Sequence, residues 1–376
     1  MLLSGSVQFD HVLFGTPTAA PIVAITPATG STSPYGYSPA EIRSAYGVNS
    51  IQLGSVVGTG SGQTIAIVDA YDDPALVSST ASNFLASDLH EFDLEFGLAD
   101  PFSFRKLDQY GGTDYPGTDP AGPGNSWAVE ESLDVEWAHV IAPGANIVLV
   151  EANSSSTDDL ACAIATAAHL PGVSVVSMSF GCPESSTELQ QDALYTTPAG
   201  HAGVTYVASA GDSGAPGGYP AFSPNVVAVG GTILSAPGGV YGSETAWSLS
   251  DGWGTGGGQS SYEPEPSYQT GVQQSGWREM PDVAFDAATA VPVYDSYDFG
   301  QSTPWEGVGG TSLSAPCWAG LIATADQLRA TQGLASLDGP TQTLPALYGL
   351  PAADFHDITS GNNGYPAGPG YDMCTG

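Results

Sequence analysis

The alternation of short apolar runs with longer helical patterns constrains the fold of this 376-residue chain most strongly. Between Thr64 and Val229 the runs are almost continuously apolar and β-branched, and they do not alternate between apolar and polar positions. Strands that are buried on both faces have this composition, and they occur in parallel sheets covered by helices. We therefore predict an α/β fold, a parallel sheet with helices on both faces, in which reactive groups gather where strands end and helices begin.

Individual elements follow from the same patterns. A helix should begin after Ser38, because Ser-Pro-Ala-Glu-Ile combines a capping residue with proline at the first helical position. The predicted strands are 64–68, 146–150, 173–180, 204–209 and 225–229, and the predicted helices are 74–92, 127–141, 157–170 and 184–199. After Gly230 we expect glycine-rich loops and short strands. Residues 1–36 are interpreted as an N-terminal arm or linker remnant, and residues 37–376 as one domain.

The charge balance restricts the class of protein. Asp and Glu number 39 against 5 Lys and Arg, for a formal net charge of −34, which argues against nucleic-acid binding. Self-repulsion should fade toward the sequence pI of about 4.1, so a protein for acidic surroundings is the favoured interpretation, and a halophile's acidic surface is the alternative. No apolar run approaches the roughly 20 residues of a membrane helix. Residues 1–15 lack the basic flank of a signal peptide.

The four cysteines do not form a recognisable framework. Cys162, Cys182, Cys317 and Cys374 are too scattered for a disulfide miniprotein and lack paired zinc spacing. One or two bridges would be compatible with an oxidising compartment. Cys317 is expected to be a buried free thiol, because it lies in an apolar helical run.

The stretch GVGGTSLSAPCWAGL, residues 307–321, places Ser312 where a tight glycine turn opens into a buried helix. A serine at such a position is a candidate nucleophile, and it needs a nearby base to accept its proton. None of the six histidines lies in a Gly-Thr context opening a helix, so we interpret each as a surface or core residue.

Carboxyl groups are better placed to serve as the base. Glu130 and Asp134 are four residues apart on a patterned helix, so they share one face with Cβ atoms ~5 to 6 Å apart. Such a pair can share one proton, which leaves one carboxylate as a base. The alternative is a solvated acidic face, which Glu131 and Glu136 also support.

Two further aspartates follow predicted strands. Asp212 lies in the turn of ASAGDSGAP, and a protonated carboxyl there could donate a hydrogen bond to a developing oxyanion. The alternative for Asp212 is a turn residue that caps its own backbone. Asp69, at the end of IAIVDAY, is interpreted as structural, because no matching histidine accompanies it.

Several motifs together give a specific family resemblance. They are the Glu130–Asp134 helix, AGDSG at Asp212, GGGQSSYEPEPSYQ, REMPDVAFDA, GGTSLSAP at Ser312 and the tail ending GPGYDMCTG. With these motifs the chain, from Ser38 onward, resembles the sedolisin (serine-carboxyl peptidase) family, and its kumamolisin-like members in particular. The resemblance implies a subtilisin-like fold and acid peptidase activity. It implies Ser312 as nucleophile, Glu130 as general base, Asp134 as orienting residue and Asp212 as oxyanion donor.

The resemblance also implies a bound ion and partners. One structural Ca²⁺ would be held by the carboxylates of Asp357 and Asp372 and the backbone carbonyls of Ile358, Gly368 and Gly370, where spacing alone would indicate only a glycine turn. Polypeptide substrates would lie between 177–181 and 256–262 as an added strand. We expect a secreted monomer, made with an N-terminal prodomain that residues 1–36 are too short to provide.

Two other functions stay open at this stage. A noncatalytic binding or shell protein on the same scaffold would not cleave denatured substrates at any pH. A histidine-dependent hydrolase of the subtilisin type would be most active near neutrality and would tolerate the loss of Glu130.

Overall fold

The computed structural model describes residues 8–9, 12–14, 30–124, 126–248 and 252–376. Its strands are β1 (Gln8–Phe9), β2 (Val12–Phe14), β3 (Gln52–Leu53), β4 (Val56–Val57), β5 (Thr64–Ala70), β6 (Phe104–Asp108), β7 (Asn146–Ala152), β8 (Val173–Met178), β9 (Phe180–Gly181), β10 (Thr205–Ser209), β11 (Val226–Ser235), β12 (Ser243–Ala246), β13 (Gly258–Pro264), β14 (Trp277–Met280), β15 (Val283–Asp286), β16 (Val291–Tyr294) and β17 (Trp305–Gly309). Its α-helices are α1 (Pro39–Ala45), α2 (Asp88–Phe96), α3 (Ala128–Ile141), α4 (Thr157–His169), α5 (Ser296–Phe299), α6 (Thr311–Ala330) and α7 (Leu344–Gly349).

A single large sheet organises the chain. Its eight strands run in the order β12-β11-β10-β8-β5-β7-β6, with β15 also paired to β11. All pairs in this sheet are parallel except β11 with β12. The predicted subtilisin-like α/β architecture is therefore confirmed.

The central strand β5 shows how the two faces are covered. All seven of its side chains are buried. Ala66, Val68 and Ala70 pack in one core with residues of α4, whereas Ile65 and Ile67 pack in another with residues of α3 and α6. Because successive side chains of a strand point to opposite faces, a fully buried strand requires helices on both sides.

Helices α3 and α6 lie against each other on one face of the sheet. A Cβ added at Gly320 of α6 would lie 2.7 Å from Cβ of Ile141 at the end of α3. The missing side chain at Gly320 thus permits the close approach of the two helices that carry Glu130, Asp134 and Ser312.

Most predicted elements are confirmed. Helix α1 begins after Ser38, whose side chain accepts a hydrogen bond from the Glu41 amide in a capping box, with Pro39 in the first helical position. The strands predicted at 64–68, 146–150, 173–180 and 204–209 match β5, β7, β8 with β9, and β10, and the helices 127–141 and 157–170 match α3 and α4. Strand β11 extends six residues beyond the predicted end at Val229, and the sequence analysis missed β6.

The helix predicted at 74–92 is wrong over most of its length, since α2 covers only Asp88–Phe96. The preceding residues are rich in Ser and Thr, whose side chains compete with helical hydrogen bonds. Ser79 instead joins its backbone N–H and hydroxyl to the carbonyl oxygen of Phe104, at 2.9 and 3.1 Å. The segment therefore runs along the edge of β6.

The helix predicted at 184–199 is also wrong, because only two short 3₁₀ turns form, Glu188–Gln190 and Asp192–Tyr195. The Glu188 side chain accepts the Ser185 amide at 2.7 Å, and Asp192 accepts the Ser223 hydroxyl at 2.7 Å. These side-chain bonds replace a regular helical ladder.

Most of the predicted arm lies outside the described residues, but two short pieces of it form strands. Strand β1 pairs antiparallel with β9, and β2 pairs antiparallel with β17. No helix in the described part of the chain is both long and apolar enough to span a bilayer.

Candidate active site

The N-terminus of α6 positions Ser312, the second residue of the helix. The helix follows Gly310, whose φ of 108° is a conformation that other residues rarely adopt. Backbone N–H groups in the first turn of a helix have no partner within the helix. Ser312 is fully buried, and its Oγ has no hydrogen-bond partner among the described residues, so the hydroxyl is not engaged by a structural contact.

Asp212 follows β10 and is tied to the same helix terminus. Its Oδ1 accepts hydrogen bonds from the backbone N and the Oγ1 of Thr311, both at 2.8 Å. Thr311 Oγ1 in turn accepts the Gly211 amide at 3.1 Å. Asp212 Oδ1 thus bonds to the residue next to Ser312.

Ser179, which the sequence analysis did not single out, joins Ser312 to the acidic helix. Pro316 has no N–H, so it cannot donate to the Ser312 carbonyl four residues earlier. Ser179 Oγ lies 3.3 Å from that carbonyl oxygen and 2.8 Å from Asp134 Oδ1. The Ser179 hydroxyl donates to Asp134 Oδ1 and also lies within hydrogen-bond distance of the Ser312 carbonyl, so its single proton is shared between two acceptors. Proline at 316, four residues after Ser312, was the sequence signal that could have indicated an external partner for the Ser312 carbonyl.

Glu130 and Asp134 lie in the first two turns of α3 and are fully buried. Glu131 and Glu136 are buried as well, so the alternative of a solvated acidic face is wrong. Burial and the neighbouring Glu130 raise the pKa of Asp134 well above its usual range, and the Ser179 hydrogen bond opposes this. Asp134 is therefore held in its neutral form under acidic conditions.

Asp69, on strand β5 of the sheet, is a third buried carboxyl that interacts with Glu130 and Asp134. It follows Ile65 and Ile67 on the face of β5 that meets α3 and α6, because the side-chain period of a strand is two. It is fully buried. Burial, followed by repulsion from Asp134 and Glu130, raises its pKa well above the usual range. The sequence analysis assigned Asp69 a structural role and missed this electrostatic contact with the pair.

A second buried cluster adjoins these carboxyls. Lys106 Nζ lies 2.5 Å from Asp72 Oδ1 and 3.1 Å from Glu151 Oε1. Although burial alone would lower the pKa of Lys106, Glu151 and Asp72 raise it. Burial and Glu151 raise the pKa of Glu131 well above its usual range. Lys106 thus supplies the only buried Lys or Arg charge near α3 within the described residues.

The described histidines have hydrogen-bond or ring partners elsewhere in the structure. His139 Nε2 lies 2.9 Å from the Ala99 carbonyl oxygen, and burial lowers the pKa of this ring to about 4. The other described histidines contact Asp100, Ala165, Tyr241 or each other, and His11 lies outside the described residues. Among the described residues, no histidine forms a hydrogen bond with the side chain of Ser312 or Asp134.

The five residues expected to hold Ca²⁺ lie in one C-terminal loop. Asp372 Oδ2 accepts the Gly368 amide at 2.8 Å, and Asp357 Oδ1 accepts the Gly370 amide at 3.1 Å. Both carboxylates therefore converge on the glycine turn, and Ile358 is buried beside them. Carboxylate and carbonyl oxygens form a hard donor set of the kind calcium prefers.

The glycine-rich stretch before β13 approaches the turn of Asp212. The Gly256 amide donates to the Gly211 carbonyl at 2.5 Å, and the Gly254 amide donates to the Asp212 carbonyl at 3.0 Å. A Cβ at Gly256 would lie 1.8 Å from the Ala210 carbonyl oxygen. Only glycine fits there, and the stretch fixes the backbone on which Asp212 sits.

All four cysteines are free thiols, and Cys317 is buried as expected.

Comparisons with known proteins identify peptidase relatives of this chain. A model of the Subtilase family matches residues 110–337, more than half of the chain. Kumamolisin of Bacillus sp. (strain MN-32) is 36% identical over 380 residues, which cover 92% of this chain and 62% of kumamolisin. Sedolisin of Pseudomonas sp. (strain 101) is 36% identical over 228 residues, which cover 54% of this chain and 37% of sedolisin.

A solved structure is similar over almost the whole chain. It is Pseudomonas sedolisin, a serine-carboxyl proteinase, complexed with two molecules of pseudo-iodotyrostatin. The TM-score is 0.71 with 30% sequence identity, and the match covers 92% of this chain and 95% of that chain. The present chain thus spans about three fifths of the length of kumamolisin and less of the length of curated sedolisin.

Proposed function

Since this chain belongs to the sedolisin family of serine-carboxyl peptidases, we propose that it hydrolyses peptide bonds of polypeptides in acid, with Ser312, Glu130 and Asp134 as its triad. The observation that carries the proposal is Ser312 at the N-terminus of α6, joined through Ser179 to a buried acidic pair. Secretion into an acidic environment would suit this activity and the acidic composition.

The nucleophile acts through proton transfer to the pair. Ser312 Oγ attacks the substrate carbonyl carbon while Glu130 accepts its proton. Asp134, kept neutral by burial and by Glu130, orients the pair. The proton then passes to the departing amine, and water releases the acyl group from Ser312.

The oxyanion is stabilised at the helix terminus. Asp212 Oδ1 accepts both hydrogen bonds from Thr311, so a proton on this carboxyl belongs on Oδ2, where it can be donated to the oxyanion. The Ser312 N–H, in the first turn of α6, supplies the second donor. The requirement for a proton on Asp212 would confine activity to acid.

The decisive experiment measures cleavage of denatured protein from pH 2 to 7, with fragments identified by mass spectrometry. We expect an acid optimum, complete loss in Ser312→Ala, and losses of at least 10²-fold in kcat for Glu130→Gln and Asp134→Asn. Glu95→Gln, on the exposed surface of α2, is the control and should retain full activity.

Other outcomes would contradict the proposal. Full activity in any one of the three site variants would remove that residue from its role. A correctly folded chain that cleaves nothing would favour a noncatalytic binding protein, whereas activity near neutrality that survives Glu130→Gln would favour a histidine-dependent hydrolase.

We also propose that the C-terminal loop holds one structural Ca²⁺, bound by the carboxylates of Asp357 and Asp372 and the carbonyl oxygens of Ile358, Gly368 and Gly370. The convergence of both carboxylates on the glycine turn supports this assignment. The ion would neutralise these two charges and hold the loop that ends beside Asp282, where a Cβ at Gly376 would lie 2.4 Å from the Asp282 carbonyl.

A further inference from the structure

Three buried aspartates from distant parts of the chain meet beside α3. Asp73 follows β5, Asp88 is the first residue of α2, and Asp295 follows β16. One carboxylate oxygen of each lies within 4.8 Å of the others, and these residues are at most 2% exposed. Ser132 of α3 donates a hydrogen bond to Asp73 Oδ2 at 3.4 Å. This three-aspartate cluster therefore lies against the helix that carries the acidic pair.

The oxygens of the cluster differ in their hydrogen bonding. Asp88 accepts the backbone N–H and the hydroxyl of Ser296, at 2.6 and 2.7 Å. Asp295 Oδ1 accepts the amides of Tyr297 and Asp298, both at 2.9 Å. Asp295 Oδ2 is buried and has no hydrogen-bond partner among the described residues. Such an oxygen has lost its hydration without gaining a donor, which is costly unless a cation or a proton neutralises it.

Glu136 of α3 adds a second oxygen of this kind. Its Oε2 accepts the Tyr294 amide at 3.1 Å, so the side chain reaches the residue next to Asp295. Its Oε1 is buried and, within the part of the chain that the structure describes, has no hydrogen-bond partner. Burial raises the pKa of Glu136, and repulsion from Asp88 and Asp295 adds to this effect. Glu136 thus belongs to the same group of mutually repelling carboxyls.

The described residues provide little positive charge for this group. Within residues 30–124, 126–248 and 252–376, no Lys, Arg or His forms an ion pair with Asp88, Asp295 or Glu136. Lys106 Nζ donates to the backbone carbonyl of Asp73 at 2.7 Å, but it forms its ion pairs with other carboxylates. Buried carboxylates without a basic partner are stable where protons neutralise them or where they hold a metal ion.

The donor set determines which ion the cluster would hold. Carboxylate oxygens are donors that suit Mn²⁺ and Mg²⁺. We propose that Asp73, Asp88 and Asp295 bind one divalent cation of this class, with Glu136 Oε1 as a further donor. Ca²⁺ is less suitable, because it takes about six to eight oxygen ligands, often with backbone carbonyls among them. The site is separate from the C-terminal loop, and its existence does not depend on peptidase activity.

A cation in the cluster would stabilise the start of α3. Asp295 immediately precedes α5, and Asp298 of that helix accepts the backbone N–H and the hydroxyl of Ser126, at 3.2 and 2.7 Å. Ser126 lies two residues before α3, which carries Glu130. The ion would therefore join the end of β5 to α2 and α5, and through Ser126 it would hold the N-terminus of the helix that carries the proposed base.

The test titrates Mn²⁺ into the full chain at pH 8, because metal ions bind deprotonated carboxylates. The concentration of free Mn²⁺ is followed by electron paramagnetic resonance. Excess Ca²⁺ fills the C-terminal loop, and salt at about 0.15 M screens the exposed carboxylates. We expect saturable binding of a single Mn²⁺ ion per chain, together with a higher thermal midpoint.

Asparagine variants test the ligands. Asp295→Asn keeps Oδ1 as an acceptor and removes the charge, so this variant and Asp73→Asn should each weaken Mn²⁺ binding at least ~10-fold. Without Mn²⁺, Asp295→Asn should be at least as stable as the wild type, because an uncompensated buried charge is gone. With saturating Mn²⁺ the wild type should be the more stable. A purely structural role would give the same order of stability in both conditions.

Two further variants are controls. Asp326→Asn changes a buried carboxyl of α6 outside the cluster, and Asp357→Ala changes the C-terminal loop. Both should bind Mn²⁺ as tightly as the wild type does.

Three results would overturn the inference. They are the absence of saturable Mn²⁺ binding by folded wild-type protein, undiminished binding in both Asp73→Asn and Asp295→Asn, and loss of binding in Asp357→Ala, which would place the ion in the C-terminal loop. The peptidase assignment would stand after any of them, since the cleavage assay tests it separately.

Discussion

At the scale of single residues, the two hydrogen bonds from Thr311 determine which oxygen of Asp212 can carry a proton. Two donors from Thr311 converge on Oδ1, so this oxygen is an acceptor in either protonation state of the carboxyl. An asparagine would keep the oxygen as acceptor and provide an amide donor at the other position without any proton uptake.

We predict that Asp212→Asn keeps the greater part of kcat at the acid optimum and moves the alkaline limb of the kcat profile to higher pH. Asp212→Ala removes the donor altogether and should lower kcat by about 10² to 10³-fold. Both variants are to be compared by kcat measured from pH 2 to 7. A larger loss for asparagine than for alanine would show that Asp212 does not act as a donor.

Asp69 shows what the sequence could and could not predict about the site. The motifs identified Ser312, Glu130, Asp134 and Asp212 as candidates, and the structure brings the helices and turn that carry them together. The contribution of Asp69 depends on which face of β5 it occupies relative to α3. That relation is a property of the packed sheet, and no local spacing expresses it.

At the scale of elements, Pro316 makes the first turns of α6 depend on a neighbouring strand. The carbonyl of Ser312 lacks a helical donor, and Ser179 lies 3.3 Å from it. Removal of the Ser179 hydroxyl would leave a buried carbonyl without that contact, which typically costs about 1–3 kcal/mol. It would also release Asp134 from the same hydroxyl.

We predict that Ser179→Ala lowers the unfolding free energy by about 1–3 kcal/mol and lowers kcat more than it changes KM. Pro316→Ala restores an N–H four residues after Ser312, so it should recover part of the stability of Ser179→Ala. The measurement is a double-mutant cycle by urea unfolding and steady-state kinetics. Strictly additive effects in both readouts would show that the two residues do not act on the same carbonyl.

Elements differed in how well the sequence predicted them. The continuous apolar strands and α3 were confirmed, because the composition of these segments indicates that they are buried. The errors at 74–92 and 184–199 arose where Ser, Asp and Glu side chains bond to distant backbone or side-chain groups, as Ser79 does to Phe104 and Asp192 to Ser223. These partners are 25 and 31 residues away along the chain, which is too far for a local sequence pattern to show them.

At the scale of the whole molecule, burial of carboxyl groups sets the pH range of stability. Burial is the largest cause of the raised pKa in each of six carboxyls, whose pKa values are about 6 for Asp88, 7 for Asp326 and 8 for Asp73, Asp93, Glu188 and Glu263. Oxygens of Asp73, Asp88 and Asp295 all lie within 4.8 Å of one another. At a pH below these pKa values the buried carboxyls are protonated and therefore neutral.

We therefore predict that stability falls as the pH rises from about 4 to 8. A carboxyl whose pKa is higher in the folded state stabilises the fold fully below its unfolded pKa, and this stabilisation is lost as the pH passes through the folded value. His139 acts in the opposite direction, since its lowered pKa of about 4 favours folding above pH 6.5, but the carboxyls with raised pKa values outnumber it. Urea midpoints from pH 3.5 to 8 measure the trend.

Asp326 provides a matched variant for this trend. Its Oδ1 accepts the Leu337 amide at 2.8 Å, and asparagine keeps that acceptor without an ionisable proton. Asp326→Asn should therefore reduce the slope of the unfolding free energy against pH between pH 4 and 7. The reduction corresponds to at most one proton bound on folding. A wild-type chain that is more stable at pH 8 than at pH 4 would contradict the prediction.

Calcium should stabilise the molecule through the C-terminal loop. Chelation is expected to lower the thermal midpoint. The stabilisation lost is about 2.7 kcal/mol if the free calcium concentration had been 100 times the dissociation constant. Asp357→Ala should abolish this response, whereas Asp354→Ala, an exposed aspartate three residues earlier, should keep it. An equal response to calcium in wild type and Asp357→Ala would place any ion elsewhere.

The pairing of β1 with β9 and of β2 with β17 has a consequence for the colloidal behaviour of the protein. Unpaired strand edges invite association with other chains. A molecule in which β1 and β2 are displaced would present the unpaired edges of β9 and β17, and the net charge of −34 that keeps molecules apart at neutrality would vanish near the pI. Storage at low pH would therefore favour edge-to-edge aggregation, which a bound peptide would suppress.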